Sequence, residues 1–294
     1  MSTNADLTVA VIGLGAMGGR AAAAFAATRP THGFDPVPAA RDRASTAGVA
    51  VHDSAAGAAA DADLIFLSLP TPEVVRAVID DLGDAVRGRT IADLSTIDPT
   101  TARCVAAVIT DRGGHYVDSP ILGRPTACGN WTLVCGGTES DIEVVTATAV
   151  GTIAKATHRI GDVGAGTTLK LLNNLMFGAI NTVTAEIVSL AEQAGLDAGR
   201  FTSVIADSGA ASVSGLFRDI TPRMAEHSYQ PAFAIKLLAK DVRLGAELAR
   251  ELDRSAPMAD LVRTITERAV TGGLGDLDTA AVVEIYRNEA DRSA

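Results

Sequence analysis

Short apolar runs alternate with Ala-rich, helix-forming stretches over roughly the first 160 residues of the chain. Segments 7–13, 63–70, 90–95 and 115–118 read as strands, and 17–28 and 100–112 as helices. That rhythm predicts βαβ units around a mostly parallel sheet. VAVIG and LIFLSLP are apolar at nearly every position, as strands covered on both faces of a doubly wound sheet must be. After the glycine-punctuated GDVGAG at 161–166 the texture changes, and positions three and four apart take over. Leu169, Leu172, Met176, Ile180, Val183, Ile187, Leu190 and Ala194 form one such series, stopped by Gly195. Further helices are expected at 235–252, 258–271 and 279–289, with loops at 210–214 and 272–276. The predicted architecture is an α/β domain over 1–162, then an all-α domain over 163–294 built on one long helix. The two are expected to join through that helix and share a cleft.

The first strand runs into Gly13-Leu14-Gly15-Ala16-Met17-Gly18, a GxGxxG between strand and helix. The glycines differ in what they permit. Gly13 allows the tight turn, Gly15 lets backbone approach a pyrophosphate, and Gly18 lets helix pack on strand. The following helix start supplies N–H groups and a positive dipole end. Leu14, Ala16 and Met17 complete the expected cradle of a dinucleotide. Asp35 ends the next apolar segment, THGFD, where a carboxylate accepts from both ribose hydroxyls of NAD and repels a 2′-phosphate. NAD is therefore expected over NADP. Arg41 and Arg43 follow on a predicted helix and read as solvated.

Composition narrows the partners. Twenty-five Lys and Arg against 35 Asp and Glu give a formal charge of −10, so no broad basic field exists for nucleic acid or anionic lipid. An anionic ligand needs local positive charge. Three cysteines, Cys104, Cys128 and Cys135, lack CxxC spacing and suggest neither a disulfide framework nor a metal site. The N-terminal MSTNADLTVAVIG has no basic leader, and no uninterrupted apolar run reaches bilayer-spanning length, so a cytoplasmic protein without membrane association is expected.

Four segments in order resemble one family, the β-hydroxyacid dehydrogenases that include 3-hydroxyisobutyrate dehydrogenase. They are GLGAMG, DSPILGRPTACGNWTLVCGG (118–137), GAGTTLKLLNNLM (164–176) and FAIKLLAKDVRLG (233–245). The resemblance implies a Rossmann domain, a helical substrate domain, and oxidation of a short 3-hydroxy acid, or reduction of the matching aldehyde acid, with a nicotinamide cofactor. It implies Lys170 as the acid-base group and Asn174 as the residue that orients substrate. Lys240 matches the lysine near substrate and nicotinamide, and Phe233 an aromatic lining the same region. Leu69-Pro70 and Ser95-Thr96 match the family's nicotinamide and ribose contacts.

Lys170, Asn174 and Gly178 stand at i, i+4 and i+8, one stripe of the predicted long helix. Gly178 leaves room either for substrate or for a packed neighbour. The family loop carries serine and two glycines where this chain has Leu122-Gly123-Arg124-Pro125. Leu122 removes a hydroxyl, and Arg124 places a guanidinium fork suited to carboxylate, sulfonate or phosphate. The expected substrate is a small anionic hydroxy acid held by Leu122, Gly123, Arg124, Asn174 and Lys240. Rival readings are an imine reductase, which generally lacks the lysine, a sugar-phosphate dehydrogenase, which has a much longer helical domain, and a non-catalytic dinucleotide-binding module. A homodimer or homotetramer is expected.

Overall fold

The computed structural model describes residues 7–208, 215–253 and 255–290, so the loop expected at 210–214 lies outside the described residues. In the first part, strands β1 (Val9–Ile12), β2 (Thr31–Phe34), β3 (Ala50–Val51), β4 (Leu64–Leu67), β5 (Thr90–Asp93) and β6 (His115–Asp118) lie in the order 3-2-1-4-5-6, all parallel. This is the dinucleotide-binding order of a Rossmann sheet. Residues Val9 and Val11 of β1, with Leu64 and Phe66 of β4, face one apolar cluster. Ala10, Ile12, Ile65 and Leu67 face the other. β1 and β4 are thus buried on both faces, the arrangement their unbroken apolarity required. Helices α1 (Gly18–Ala26), α2 (Pro38–Thr46), α3 (Ala55–Ala59), α4 (Pro72–Leu82), α5 (Pro99–Asp111) and α6 (Glu139–Ala149) alternate with the strands.

The sheet extends beyond the strands that the sequence pattern predicts. β7 (Ile121–Leu122) and β8 (Trp131–Gly136) pair antiparallel, β8 also runs antiparallel to β6, and β9 (Ala154–Gly161) adds on parallel to β8. β9 forms despite a polar sequence, AKATHRIG, because it is an outer strand with half of its residues exposed.

The second part is helical: α7 (Ala165–Gln193), α8 (Ala198–Ser208), α9 (Gly215–Ala225), α10 (Ile235–Glu251), α11 (Pro257–Ala269) and α12 (Val283–Ala290). The sequence pattern does not disclose α8 and α9. α9 contains Pro222, an ordinary breaker, yet still buries Phe217, Ile220 and Met224. The expected loop at 272–276 overlaps a wide helical turn over Val270–Leu274, with Gly273 at φ 86°. Two compact units result, Met1–Lys170 and Leu171–Ala294. The division falls inside α7, whose first turn is bonded to the end of β6, as described below. α7 is also long and apolar enough by length and composition to cross a membrane. Half of its apolar window is buried inside the protein.

Candidate functional site

At the end of β1, Gly13 adopts φ 91°, and a Cβ there would collide with the Ser68 carbonyl. A Cβ on Gly18 would strike the Gly13 carbonyl, so helix and strand touch only because both positions are glycine. Gly15 differs: an added Cβ meets nothing within 4 Å, and both Gly15 and Ala16 are exposed. A glycine with open space in front of it has no packing reason of its own, and close backbone approach by a ligand supplies one. In the first turn of α1, Gly19 N and Arg20 N donate to the Gly15 and Met17 carbonyls, and no acidic side chain stands there to repel an anion. Leu14 is buried and Met17 half-buried behind the loop. These features fit a pyrophosphate.

Asp35 sits just beyond β2 with 9% of its surface exposed. One carboxylate oxygen accepts from Leu14 N at 2.7 Å and the other from Val37 N at 2.8 Å. The side chain therefore staples the glycine loop to the β2–α2 turn, a structural role added to the ribose contact expected of it. A carboxylate offers about four acceptor positions, so it retains capacity for hydroxyl donors. Arg41, expected to be solvated, is half-buried and donates to the Asp35 backbone carbonyl at 2.6 Å. Arg43 is exposed. On the other side of the switch point, Ser95 Oγ accepts from Leu69 N at 2.9 Å, tying the ends of β4 and β5 together, with Pro70 and Thr96 beside them. Ligands of such sheets bind outside these carboxyl ends.

The end of β6 carries a residue to which the sequence pattern gives no role. Asp118, 1% exposed, accepts from Gly164 N at 2.8 Å and from Thr167 N and Oγ1, each at 2.7 Å. Side-chain Cβ atoms at Gly136 or Gly166 would collide with its surroundings, so glycines shape the pocket. Burial pushes the Asp118 carboxyl up to about 6, its three donors pulling the other way and nearby Asp93 adding to the rise. Asp93 is raised for the same reason, burial, while it accepts from Ser95 N and Tyr116 Oη. Asp118 thus pins the first turn of α7 to the sheet, and half-buried Lys170 stands on the next turn. The sequence does hold the signal, an aspartate ending a strand and a glycine-rich helix start, but nothing local joins the two. Between them, the Leu122–Pro125 loop holds exposed Gly123 and half-buried Leu122 and Arg124.

In the second unit Asn174 is 4% exposed and donates through Nδ2 to Asp241 Oδ2 at 2.7 Å, while its Oδ1 accepts from Asn173. Lys240 Nζ lies 2.8 Å from the other Asp241 oxygen. Asp241 is 3% exposed and orients both expected substrate residues. Sequence reasoning misses it although it follows Lys240 directly, an aspartate on the apolar face of α10. Phe233 packs edge-to-face on Phe177, with centroids 5.6 Å apart. At Gly178 a Cβ would press on Val242 and Val262 at 3.0 Å, so this glycine serves helix packing and not substrate.

Residues 8–161 match the family described as the NAD binding domain of 6-phosphogluconate dehydrogenase. Residues 164–286 match the one described as NAD-binding of NADP-dependent 3-hydroxyisobutyrate dehydrogenase. A probable 3-hydroxyisobutyrate dehydrogenase of Mycobacterium tuberculosis is 32% identical, over 97% of this chain and 99% of its own. The crystal structure of a 3-hydroxyisobutyrate dehydrogenase from Salmonella typhimurium superposes with a TM-score of 0.87 at 28% identity, covering 95% of this chain and 100% of that one. An imine reductase from Pseudomonas sp. shares the fold at 20% identity and a TM-score of 0.60, over 95% and 99% of the two chains.

Proposed function

Since this chain belongs to the 3-hydroxyisobutyrate dehydrogenase-like family of β-hydroxyacid dehydrogenases, with its NAD(P)-binding domain, we propose that it oxidises a short 3-hydroxy acid, or reduces the matching aldehyde acid, with NAD as the preferred cofactor. When bound, the nicotinamide supplies the hydride acceptor or donor at C4. Gly13, Leu14, Gly15, Ala16 and Met17 hold the pyrophosphate by backbone, and Asp35 takes the adenosine ribose. Leu69, Pro70, Ser95 and Thr96 would line the nicotinamide end. Lys170 removes the hydroxyl proton in oxidation and returns it in reduction. Asn174 orients the hydroxyl-bearing carbon, its amide aimed by Asp241. Gly123 and Arg124 hold the anionic end, Arg124 through a charge-assisted fork and Leu122 as an apolar wall.

The observation that carries this reading is the position of Lys170. It stands one turn beyond a helix start that Asp118 bonds to the carboxyl end of β6, the sheet edge at which doubly wound folds bind ligands. The three unbridged cysteines accord with a reducing compartment such as the cytoplasm. The test is an NAD-reduction screen over carboxylated, sulfonated and phosphorylated short hydroxy acids, run beside Lys170→Ala. The variant is expected to lose the ~10²–10⁴-fold that a general acid-base group contributes, with NAD affinity intact. Lys170→Arg is expected not to rescue it, because guanidinium stays protonated. Near wild-type kcat in Lys170→Ala would overturn the mechanism.

A further inference from the structure

Trp131 opens β8 and is fully buried, although it is the only tryptophan in the chain and the residue before it, Asn130, is exposed. The β8–β9 register shifts between Trp131 and Thr132, an irregularity at the residue that carries the ring. The ring lies against the Leu122–Pro125 loop in two ways. Its Nε1 donates to the Arg124 carbonyl at 2.7 Å, an oxygen that also accepts from Ala127 N at 3.0 Å. Its Cδ1 lies 2.6 Å from where a Gly123 Cβ would be, and Gly123 takes φ 152°, a conformation L side chains rarely adopt. Glycine is thus required at 123 by the indole beneath it. The peptide of Arg124 is held by the indole N–H and by the short helical turn that follows, Pro125–Ala127.

We propose that Trp131 is a positioning residue for substrate selectivity: its indole clamps the Gly123–Arg124 backbone in the one conformation from which Arg124 meets the substrate anion. The proposal rests on the reading of Arg124 given above. A side chain so placed touches no reacting atom. It acts by removing alternative backbone states of the loop, so that the guanidinium is pre-aimed when the anion arrives. Because no other tryptophan competes, its emission also reports the state of this loop.

Wild-type holoenzyme with NAD is titrated with 3-hydroxyisobutyrate and with L-threonate, and indole emission is read up to the concentrations that saturate turnover. Because the loop is already set, the emission maximum is expected to stay where it is up to saturation. A saturable shift of that maximum toward the red, the mark of an indole leaving its buried site as substrate binds, would overturn the proposal without any variant having to fold. KM and kcat are then measured for Trp131→Phe, which keeps a ring and deletes the donor, for Arg124→Ala, and for the double variant. Trp131→Phe is expected to raise KM roughly three- to tenfold, the scale of one hydrogen bond, with a much smaller change in kcat and in NAD affinity. In the Arg124→Ala background it is expected to add nothing further. If Arg124→Ala raises KM and Trp131→Phe does not, the clamp is refuted while the reading of Arg124 stands. If Arg124→Ala leaves KM unchanged, that reading falls and takes the clamp with it. Equal damage by Trp131→Phe to KM, kcat and NAD affinity would mark a general packing role and also refute the clamp.

Discussion

Asp35 shows how one side chain can serve fold and specificity together. Its oxygens satisfy Leu14 N, on a buried residue of the glycine loop, and Val37 N, on an exposed residue of the β2–α2 turn. The same carboxylate, beyond the end of β2, is the group proposed to favour a ribose hydroxyl over a 2′-phosphate. Asp35→Ser is therefore expected to have two separable effects. The ratio of kcat/KM for NAD to that for NADP should narrow, since the repelling charge is gone. Stability should fall by about 1–3 kcal/mol, since a hydroxyl cannot bridge both donors. Chemical denaturation reads the second effect and steady-state kinetics the first. An unchanged cofactor ratio in a destabilised variant would leave Asp35 with its structural role alone. Arg41 bears on the same point: bonded to the Asp35 carbonyl, it keeps a cation close to the carboxylate that is meant to exclude phosphate.

At the scale of the element, α7 is the part of the molecule on which most of the proposed chemistry depends, and Asp118 governs where it begins. The Asp118 carboxyl rises from 3.8 to about 6 in the folded protein. A carboxyl raised on folding favours the native state while protonated. Its contribution is complete below the unfolded value near 3.8 and is lost as pH climbs through about 6. A rise of that size corresponds to about 3 kcal/mol at most. Asp118→Asn, which retains an acceptor oxygen but cannot ionise, should remove this slope. The difference in unfolding free energy between wild type and variant is then expected to change with pH between about 4 and 6 and to level off above. A constant difference across that window would show that Asp118 does not titrate as its burial implies. The amide also replaces one acceptor by a donor at Thr167 N, so kcat is expected to drop as the start of α7 loosens.

For the whole molecule the open face of α7 is the feature to account for. Leu172, Met176, Val183, Ile187 and Leu190 are all exposed, at spacings of three, four and seven, along nearly the whole helix. Contiguous apolar surface of this length is uncommon on a monomer. We propose that a second copy of the chain covers it, giving a homodimer or a tetramer built from such pairs. Sedimentation velocity is expected to show an oligomer in the wild type. Leu190→Glu should weaken it by roughly tenfold or more, because a carboxylate would have to be stripped of water in an apolar interface. A wild-type monomer at micromolar concentration would defeat this reading.

What the sequence determined alone follows from interactions between near neighbours in the chain. A GxGxxG turn, strands apolar at consecutive positions and a long helix with period 3.6 are each written within a few residues, so β1, β4, β5, β6, α1, α5, α7 and α10 were legible along with the cofactor loop and the Lys170 stripe. The polar β9 and the proline-bearing α9 were not, because their propensities run against structures stabilised by packing. The site divides in the same way. Asp118 reaches Gly164 across 46 residues, Asn174 reaches Asp241 across 67, and the Trp131 indole finds the Arg124 carbonyl only after β7 and β8 pair. Each contact joins a polar group to a partner whose position depends on the packing of several elements, and no local pattern encodes that distance. The sequence put forward the side chains that could carry the chemistry. The tertiary structure decided which of them are held in place, because a buried carboxylate or indole N–H must find a partner wherever the fold brings one.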